Sequence, residues 1–296
     1  MNPNTVQIDA AALTKLQSWR ERSETISDII TAAPLRALSA TLDRDDPVPE
    51  DGSAVPALWH WLYFLPHARQ SEIGPDGHAR RGGFLPPVPL PRRMWAGGRL
   101  RWEAGNPLRM GQQVQRVSTI RSVQHKTGRS GELLFVLVEH RFSNQDGLAL
   151  TEEHDIVYRG AARPGDPVPP PQQPPLAGQA AWSRTIVPDD VLLFRYSALT
   201  FNGHRIHYDR RYVTQVEGYP GLIVHGPLIA TLLLDLLRRQ LPGARLVAFD
   251  FKALRPTFDL HPFSVHGKPR EDGRTIDLWA QDHEGLLTMH ATATVA

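Results

Sequence analysis

The chain has 296 residues, of which 41% are hydrophobic and 22% are charged. These values are typical of globular proteins and exclude a disordered or fibrous chain, and the length suits two domains. No stretch approaches the roughly 20 apolar residues of a membrane helix, and the polar first ten residues do not resemble a signal peptide. Cysteine is absent, which excludes disulfides and thiolate nucleophiles. We expect a cytoplasmic protein without a membrane partner.

The net charge is only +2, yet just four of the 33 basic residues are lysine. Arginine forms paired hydrogen bonds with phosphates and carboxylates, so this composition is compatible with an anionic ligand such as a coenzyme A thioester. Acidic residues are interspersed nearly everywhere, and no basic run typical of nucleic-acid binding occurs. We therefore expect no nucleic-acid partner.

The first half predicts a weak helix followed by strands. Residues 23–43 have a helical pattern that Pro34 interrupts. Residues 82–98, GGFLPPVPLPRRMWAGG, suggest a rigid proline loop with a packing tryptophan. Residues 112–159 alternate between apolar and polar side chains around two glycine-bearing turns, which predicts an antiparallel meander.

A proline-rich segment divides the chain. Residues 163–175, RPGDPVPPPQQPP, cannot form a helix interior or a central strand, because proline lacks a backbone donor. We expect an N-terminal domain at residues 1–162, a linker at 163–175 and a C-terminal domain at 176–296.

The second half repeats the pattern of the first. Residues 194–226 predict a long, polar, functional loop. Residues 226–240, GPLIATLLLDLLRRQ, predict a helix that is apolar around almost its whole circumference, as when a sheet wraps around it. Residues 245–296 again alternate as a meander with similar turns. One long helix wrapped by an antiparallel sheet, present twice, predicts an α+β fold of the double hot-dog type.

Three histidines, His204, His207 and His225, lie in the polar segment before this helix. A single histidine is more often structural than catalytic, but three near a glycine at a helix start favour a functional site. His204 and His207 form an HxxH pair that lacks a further placed ligand, so we expect no metal and no cofactor.

This segment resembles the MaoC-like (R)-specific enoyl-CoA hydratases. Their active-site loop has the pattern Asp-x-Asn-Pro-aliphatic-His, followed later by a His-Gly pair that opens the helix. Here Asn202-Gly203-His204-Arg205-Ile206-His207 and His225-Gly226 occupy these places, with Asn202 where the family has aspartate and His204 where it has asparagine. A branch of this group, the mitochondrial 3-hydroxyacyl-thioester dehydratases and bacterial mesaconyl-C4-CoA hydratases, has the motifs TFNxHRIHYD and EGYPGLVVHGPL. Residues 200–209 and 217–228 resemble these motifs, with Ile223 for one valine, and residues 82–98 also resemble that branch.

The resemblance implies water chemistry on an acyl thioester. His207 would be the general base in hydration, and Asn202 would orient the water or the imidazole. The backbone amide of Gly226 would hold the developing oxyanion. A carboxylate could assist from Asp209 or Glu217, although either could merely be solvated or cap a turn.

Five further residues are candidates for substrate binding. Arg205 could bind a second carboxylate or a phosphate, or form a surface ion pair. Arg93 and Trp95 could close the acyl pocket from the first half. The remaining two are His204 and His225, and His225 could instead cap the helix.

The expected function is hydration or dehydration of a short acyl-CoA, with a branched or dicarboxylic chain such as that of mesaconyl-C4-CoA. The alternatives are a 3-hydroxyacyl carrier-protein dehydratase of fatty acid synthesis, an acyl-CoA thioesterase and a non-catalytic acyl-binding subunit. Exposed sheet edges favour a homodimer, while a duplicated chain is also compatible with a monomer.

Overall fold

The computed structural model describes residues 8–128, 131–160, 171–174, 176 and 178–296. Over these residues the chain forms one ten-stranded antiparallel sheet and five α-helices, which confirms the α+β class. None of these helices is both long and apolar enough to cross a membrane. The strands are β1 (Ser23–Ile29), β2 (Arg92–Trp102), β3 (Gln113–Gly128), β4 (Gly131–Asn144), β5 (Gly147–Arg159), β6 (Trp182–Ile186), β7 (Leu246–Ala253), β8 (Phe263–Pro269), β9 (Thr275–Gln281) and β10 (Leu287–Val295). The helices are α1 (Ala10–Gln17), α2 (Ala32–Thr41), α3 (Asp190–Leu199), α4 (Arg210–Gln215) and α5 (Gly226–Gln240).

The strand order shows that the topology of the two halves is the same. The sheet runs β1-β3-β4-β5-β2 through the first half and continues β7-β10-β9-β8-β6 through the second. Counted from either outer edge, the strands therefore follow one order twice. In each half one strand is followed by helices, α2 in the first half and α3 to α5 in the second, and then by four strands. The last three strands of each half form the meander that the alternating pattern predicts.

The halves join where β2 pairs with β7, and two glycines permit this contact. Gly97 lies opposite Lys252 in the register. A Cβ atom at Gly97 would lie 2.5 Å from the carbonyl oxygen of Phe251, and one at Gly98 would lie 2.8 Å from the Phe251 ring. The expectation of a proline loop over residues 82–98 is therefore wrong for its last part, which is a strand at the centre of the sheet.

The helix predicted at residues 226–240 is α5, and it is buried as expected. Residues from Leu228 through Leu237 are all buried, and the helix contacts β6, β8, β9 and β10. Pro227 lies in its first turn, where a missing N–H is tolerated. The sheet of the second half thus wraps around a long helix.

The first half departs from the expected helix at residues 23–43. Ser23–Ile29 is an edge strand that alternates between exposed and half-buried side chains and pairs with β3. The helix α2 begins only at Ala32 and has ten residues. Pro34 is compatible with it because the first helical turn needs no intrahelical donor.

The segment at residues 194–226 is more regular than expected. It contains the end of α3 and all of α4, whose preceding residues Asp189 and Asp209 accept hydrogen bonds from the first turns of these helices. Such capping stabilises short helices whose apolar pattern is weak. Most of the predicted linker, residues 163–170 and 175, lies outside the described residues.

A buried carboxylate fastens α5 to both halves. Asp235 is 4% exposed, and its oxygens lie 2.7 Å from Arg44 Nη1, 2.6 Å from Arg184 Nη1 and 2.8 Å from Arg239 Nε. Arg44 follows α2 in the first half, whereas Arg184 belongs to β6. Removing the carboxylate would leave guanidinium groups unpaired at a buried position.

We therefore expect Asp235→Ala to lower the free energy of unfolding by about 3–5 kcal/mol, the usual cost of breaking a buried ion pair. Urea denaturation followed by circular dichroism measures this change. Asp250→Ala is the control, because Asp250 forms an exposed pair with Arg101 and should cost about 1 kcal/mol or less. Equal effects of the two variants would contradict the role of Asp235.

Candidate active site

His207 lies on a short 3₁₀ turn, Arg205–His207, between α3 and α4. Its side chain is buried, and Nδ1 lies 2.7 Å from the carbonyl oxygen of Ile223. A carbonyl only accepts hydrogen bonds, so Nδ1 carries the proton and Nε2 keeps a free lone pair in the neutral ring. Burial lowers the pKa of His207 to about 4. The ring is therefore a neutral hydrogen-bond acceptor at neutral pH.

His225 supports this ring from the start of α5. The two imidazoles stack with centres 3.8 Å apart and planes 19° apart. His225 Nε2 lies 2.8 Å from the hydroxyl of Ser197 in α3, and His225 makes no side-chain capping bond to α5. Burial lowers its pKa well below the ordinary value. The contact places His207 against the residue that immediately precedes Gly226.

Gly226 is the first residue of α5, so its N–H is one of those that lack an intrahelical acceptor. Helix amino ends attract negative charge, through these free amides and the aligned peptide dipoles. The site thus combines a neutral base with a place where an oxyanion would be stable.

Asn202 is held in a local turn. The side-chain oxygen of Asn202 accepts a hydrogen bond of 3.0 Å from the backbone N–H of His204. The backbone N–H of Asn202 donates to the carbonyl of Ser197 at 2.8 Å. The preceding residue, Phe201, has a positive φ of 48°. Asn202 therefore shapes the loop that carries His204 and His207.

The first half contributes a loop that sequence reasoning missed. Asp76 and His78 lie next to His204, whose ring centre is 4.0 Å from that of His78. The backbone N–H of Arg205 donates to the carbonyl of Asp76 at 2.9 Å. The sequence GPDGH at residues 74–78 is a turn pattern that contains a histidine, and this was the available signal.

This loop places the carboxylate of Asp76 beside the histidines. Asp76 Oδ2 lies 3.2 Å from His78 Nδ1. Burial raises the pKa of Asp76, but hydrogen bonds from the side chain and backbone of His78 outweigh it and hold that pKa below its usual range. Burial lowers the pKa of His78, and burial with the nearby charge of His78 lowers that of His204 to about 2.

Asp76, His78 and His204 have ligand-type atoms that lie within 4.8 Å of one another. Three such atoms could together bind a metal ion. However, two imidazoles on one tetrahedral zinc, each bound at about 2.1 Å, hold their ring centres further apart than the observed 4.0 Å. The geometry fits ring packing and a hydrogen-bonded carboxylate, and we assign no metal here.

The three other residues predicted to bind substrate differ in their surroundings. Arg205 is occupied by Asp209, at 2.7 Å, and by the carbonyl of Pro75, at 2.9 Å. Trp95 packs in an aromatic cluster with His154, whose ring centre is 4.0 Å away. Arg93 is half-buried, and its charge reaches His78 and His204.

The two carboxylates expected as assistants have structural partners. Asp209 caps α4 through the N–H of Tyr212 and pairs with Arg205. Glu217 accepts a hydrogen bond of 3.1 Å from the hydroxyl of Tyr212. The carboxylate that lies among the histidines is instead that of Asp76.

The fold is shared with known structures. A Mycobacterium tuberculosis protein described as having a double hot-dog fold aligns with a TM-score of 0.56 and 12% identity, covering 94% of this chain and 96% of that one. At this identity the likeness shows the fold alone. Fold and site together define a double hot-dog enzyme.

Comparison with protein families identifies the group within this class. The hydroxyacyl-thioester dehydratase type 2 family model matches residues 58–259. The mesaconyl-C(4)-CoA hydratase of Chloroflexus aurantiacus is 48% identical over 278 residues, which cover 93% of this chain and 96% of the relative. The mitochondrial hydroxyacyl-thioester dehydratase type 2 of Schizosaccharomyces pombe is 27% identical over 270 residues, 81% of this chain and 88% of the relative. The chain belongs to the hydroxyacyl-thioester dehydratase type 2 family and is a hydro-lyase.

The contact between the halves at the site depends on a close backbone approach. Gly77 has a φ of +89°, and a Cβ atom there would lie 1.7 Å from the carbonyl oxygen of Gly203. We expect Gly77→Ala to displace the loop with Asp76 and His78, and to lower kcat at least about tenfold, since misplacement of about 1 Å can cost more than that.

Steady-state kinetics with crotonyl-CoA measures this effect. Gly83→Ala is the matched control, because a Cβ atom at Gly83 would meet nothing within 4 Å. Full activity of Gly77→Ala would show that the docked loop is not needed.

Proposed function

We propose that this protein adds water to a short α,β-unsaturated acyl-CoA and catalyses the reverse dehydration, with a branched dicarboxylic thioester such as mesaconyl-C4-CoA as its substrate. The observation that carries the proposal is the His207 ring, neutral and with Nε2 free, stacked beside the first residues of α5. The substrate follows from the 48% identity to a mesaconyl-C(4)-CoA hydratase.

In this mechanism His207 Nε2 removes a proton from water while the water oxygen bonds to the β-carbon. Electrons of the double bond move toward the thioester carbonyl, and the enolate oxygen is stabilised by the amides at Gly226. The proton then returns to the α-carbon, so that one water is added in total. Dehydration reverses these steps.

The transient imidazolium needs negative charge nearby, because burial lowers the pKa of His207 to about 4. Asn202 cannot supply this charge. Asp76 is the candidate, because its ionised carboxylate favours protonation of His78 and His204, and the His204 ring centre lies 5.4 Å from that of His207. We assign to Asp76 the electrostatic part that an aspartate in place of Asn202 would otherwise play.

The activity is tested with three thioesters in parallel. Loss of the conjugated enoyl absorbance is followed for crotonyl-CoA, mesaconyl-C4-CoA and an enoyl carrier-protein thioester. Preference for the carrier protein would favour the fatty acid dehydratase, and free thiol detected with a disulfide reagent would favour a thioesterase. No hydration of any of the three would refute the proposed function.

We expect His207→Ala to lower kcat by about 10²- to 10⁴-fold, the usual contribution of a positioned general base. The far-ultraviolet circular dichroism spectrum should remain that of the folded protein. His290→Ala is the control, since His290 is exposed on β10 and should keep full activity. If His207→Ala retained its kcat, another group would be the base.

The rate should also persist at unusually low pH. The neutral form of His207 is the base and its pKa is lowered to about 4, so kcat/KM should decline with a midpoint far below about 6.5, the ordinary histidine value. Between about pH 6.5 and the folded-state pKa of about 4, the unfolded chain binds a proton at His207 that the folded chain does not. The free energy of unfolding therefore falls as the pH falls through this range. Circular dichroism at each pH therefore accompanies the kinetics. A midpoint near 6.5 with the fold intact would contradict the assignment.

A further inference from the structure

We propose that Arg93 binds the free carboxylate of a dicarboxylic acyl thioester and thereby selects this substrate class over monocarboxylic thioesters of the same length. This inference rests on the proposed function and adds the residue that determines its specificity.

The first observation is the lack of a carboxylate partner for Arg93. Four arginines lie on β2, and three of them pair with carboxylates: Arg92 with Glu217, Arg99 with Asp155 and Arg101 with Asp250. Within the described parts of the chain, no carboxylate lies within 4 Å of Arg93. Its guanidinium lies beside the Tyr158 hydroxyl: burial raises the pKa of Tyr158, and the charge of Arg93 and a hydrogen-bonding contact with it oppose this rise. Arg93 is nevertheless half-buried.

The second observation is the surroundings of Arg93. It lies directly opposite Tyr158 in the β2–β5 register. Tyr158 is fully buried, and its hydroxyl makes no hydrogen bond of ordinary geometry among the described residues, although it lies within reach of the Arg93 guanidinium. A second guanidinium, that of Arg81, lies 5.6 Å from the Tyr158 ring and donates to the backbone carbonyls of Val88 and Leu90. The region therefore offers donors and positive charge, while Asp76 is engaged by His78.

The third observation connects this charge to the reaction centre. Burial is the main cause of the low pKa values of His78 and His204, and the positive charge of Arg93 lowers both further. Arg93 is thus electrostatically close to the histidines beside His207. In a butenedioyl thioester the free carboxylate is bonded to the β-carbon, the atom that takes the hydroxyl. A carboxylate at Arg93 is therefore compatible with a β-carbon near His207.

The energetics favour an anion at this place. A half-buried guanidinium without a carboxylate partner has lost hydration without gaining an ion pair, and a planar carboxylate offers two parallel hydrogen bonds to it. Pairing also offsets the repulsion that the substrate carboxylate would exert on the electrons of the attacking water. Arg205 is less suitable because Asp209 and Pro75 already occupy its donors.

The test separates binding from turnover. Dissociation constants are measured by calorimetry for succinyl-CoA and butyryl-CoA, which have equal chain length and the same coenzyme but differ in the free carboxylate. The wild-type protein should prefer succinyl-CoA, and Arg93→Met should weaken succinyl-CoA binding about 10- to 100-fold, the range for charged hydrogen bonds. Butyryl-CoA binding should change less than about twofold, as expected where no such bond is made.

Steady-state kinetics provides a second measurement. Arg93→Met should lower kcat/KM for mesaconyl-C4-CoA much more than that for crotonyl-CoA, and Arg93→Lys should restore part of this difference. The control is Arg101→Met, because Arg101 lies on the same strand in an exposed pair with Asp250. The ratio of kcat/KM for mesaconyl-C4-CoA to that for crotonyl-CoA should be the same in Arg101→Met as in the wild type.

Three outcomes would overturn the inference. If Arg93→Met weakened the binding of succinyl-CoA and butyryl-CoA equally, Arg93 would contact the coenzyme phosphates. If it weakened the binding of neither thioester, Arg93 would contact neither the carboxylate nor the phosphates. A lowered unfolding temperature in Arg93→Met with unchanged discrimination would show a purely structural role. If the wild-type protein bound succinyl-CoA selectively but hydrated no enoyl thioester, the proposed function would fail while the carboxylate site would stand.

Discussion

The hydrogen bond from His207 Nδ1 to the carbonyl of Ile223 determines what the rest of the site can do. It fixes the tautomer, and it leaves Nε2 as the acceptor. The N–H of Ile223 in turn donates to the carbonyl of Ile206 at 3.0 Å, so backbone bonds run in both directions between the two segments. Because backbone groups hold the ring, no carboxylate beside Nδ1 is needed to orient it, and a non-ionisable Asn202 is compatible with a basic His207.

The site requires both halves of the chain, although its histidine motif lies in the second. Gly77 and Gly203 bring two backbones into contact, and Arg205 bonds the loop from the first half through its N–H and its guanidinium. Arg205 thus acts as a tie between halves. This contact places the Asp76 carboxylate beside His78 and His204. In the proposed mechanism, that carboxylate takes the electrostatic part for which the non-ionisable Asn202 is unsuited.

Local features were predictable and tertiary partners were not. The helix at residues 226–240 and the two meanders follow from apolar periodicity, and the family loop around His207 follows from its motif. Ser23–Ile29 was misread because its alternation is short and its strand partner, β3, lies about ninety residues away. The choice between Arg205 and Arg93 depends on which guanidinium meets a carboxylate after folding, and spacing along the chain contains no such information.

The two ends of the β2–β5 strand pair differ in a way that supports the proposed role of Arg93. No long helix covers the inner face of the first half within the described residues, and Glu152 is buried there, bonded by His60, Trp61 and His154. Burial raises the pKa of Glu152, but these charged and hydrogen-bonded neighbours outweigh it and keep the carboxylate ionised. The Glu152 carboxylate is thus already bonded by its neighbours, whereas Arg93, at the other end of the β2–β5 strand pair, has no carboxylate partner among the described residues. The proposed substrate carboxylate therefore belongs at the Arg93 end of this pair.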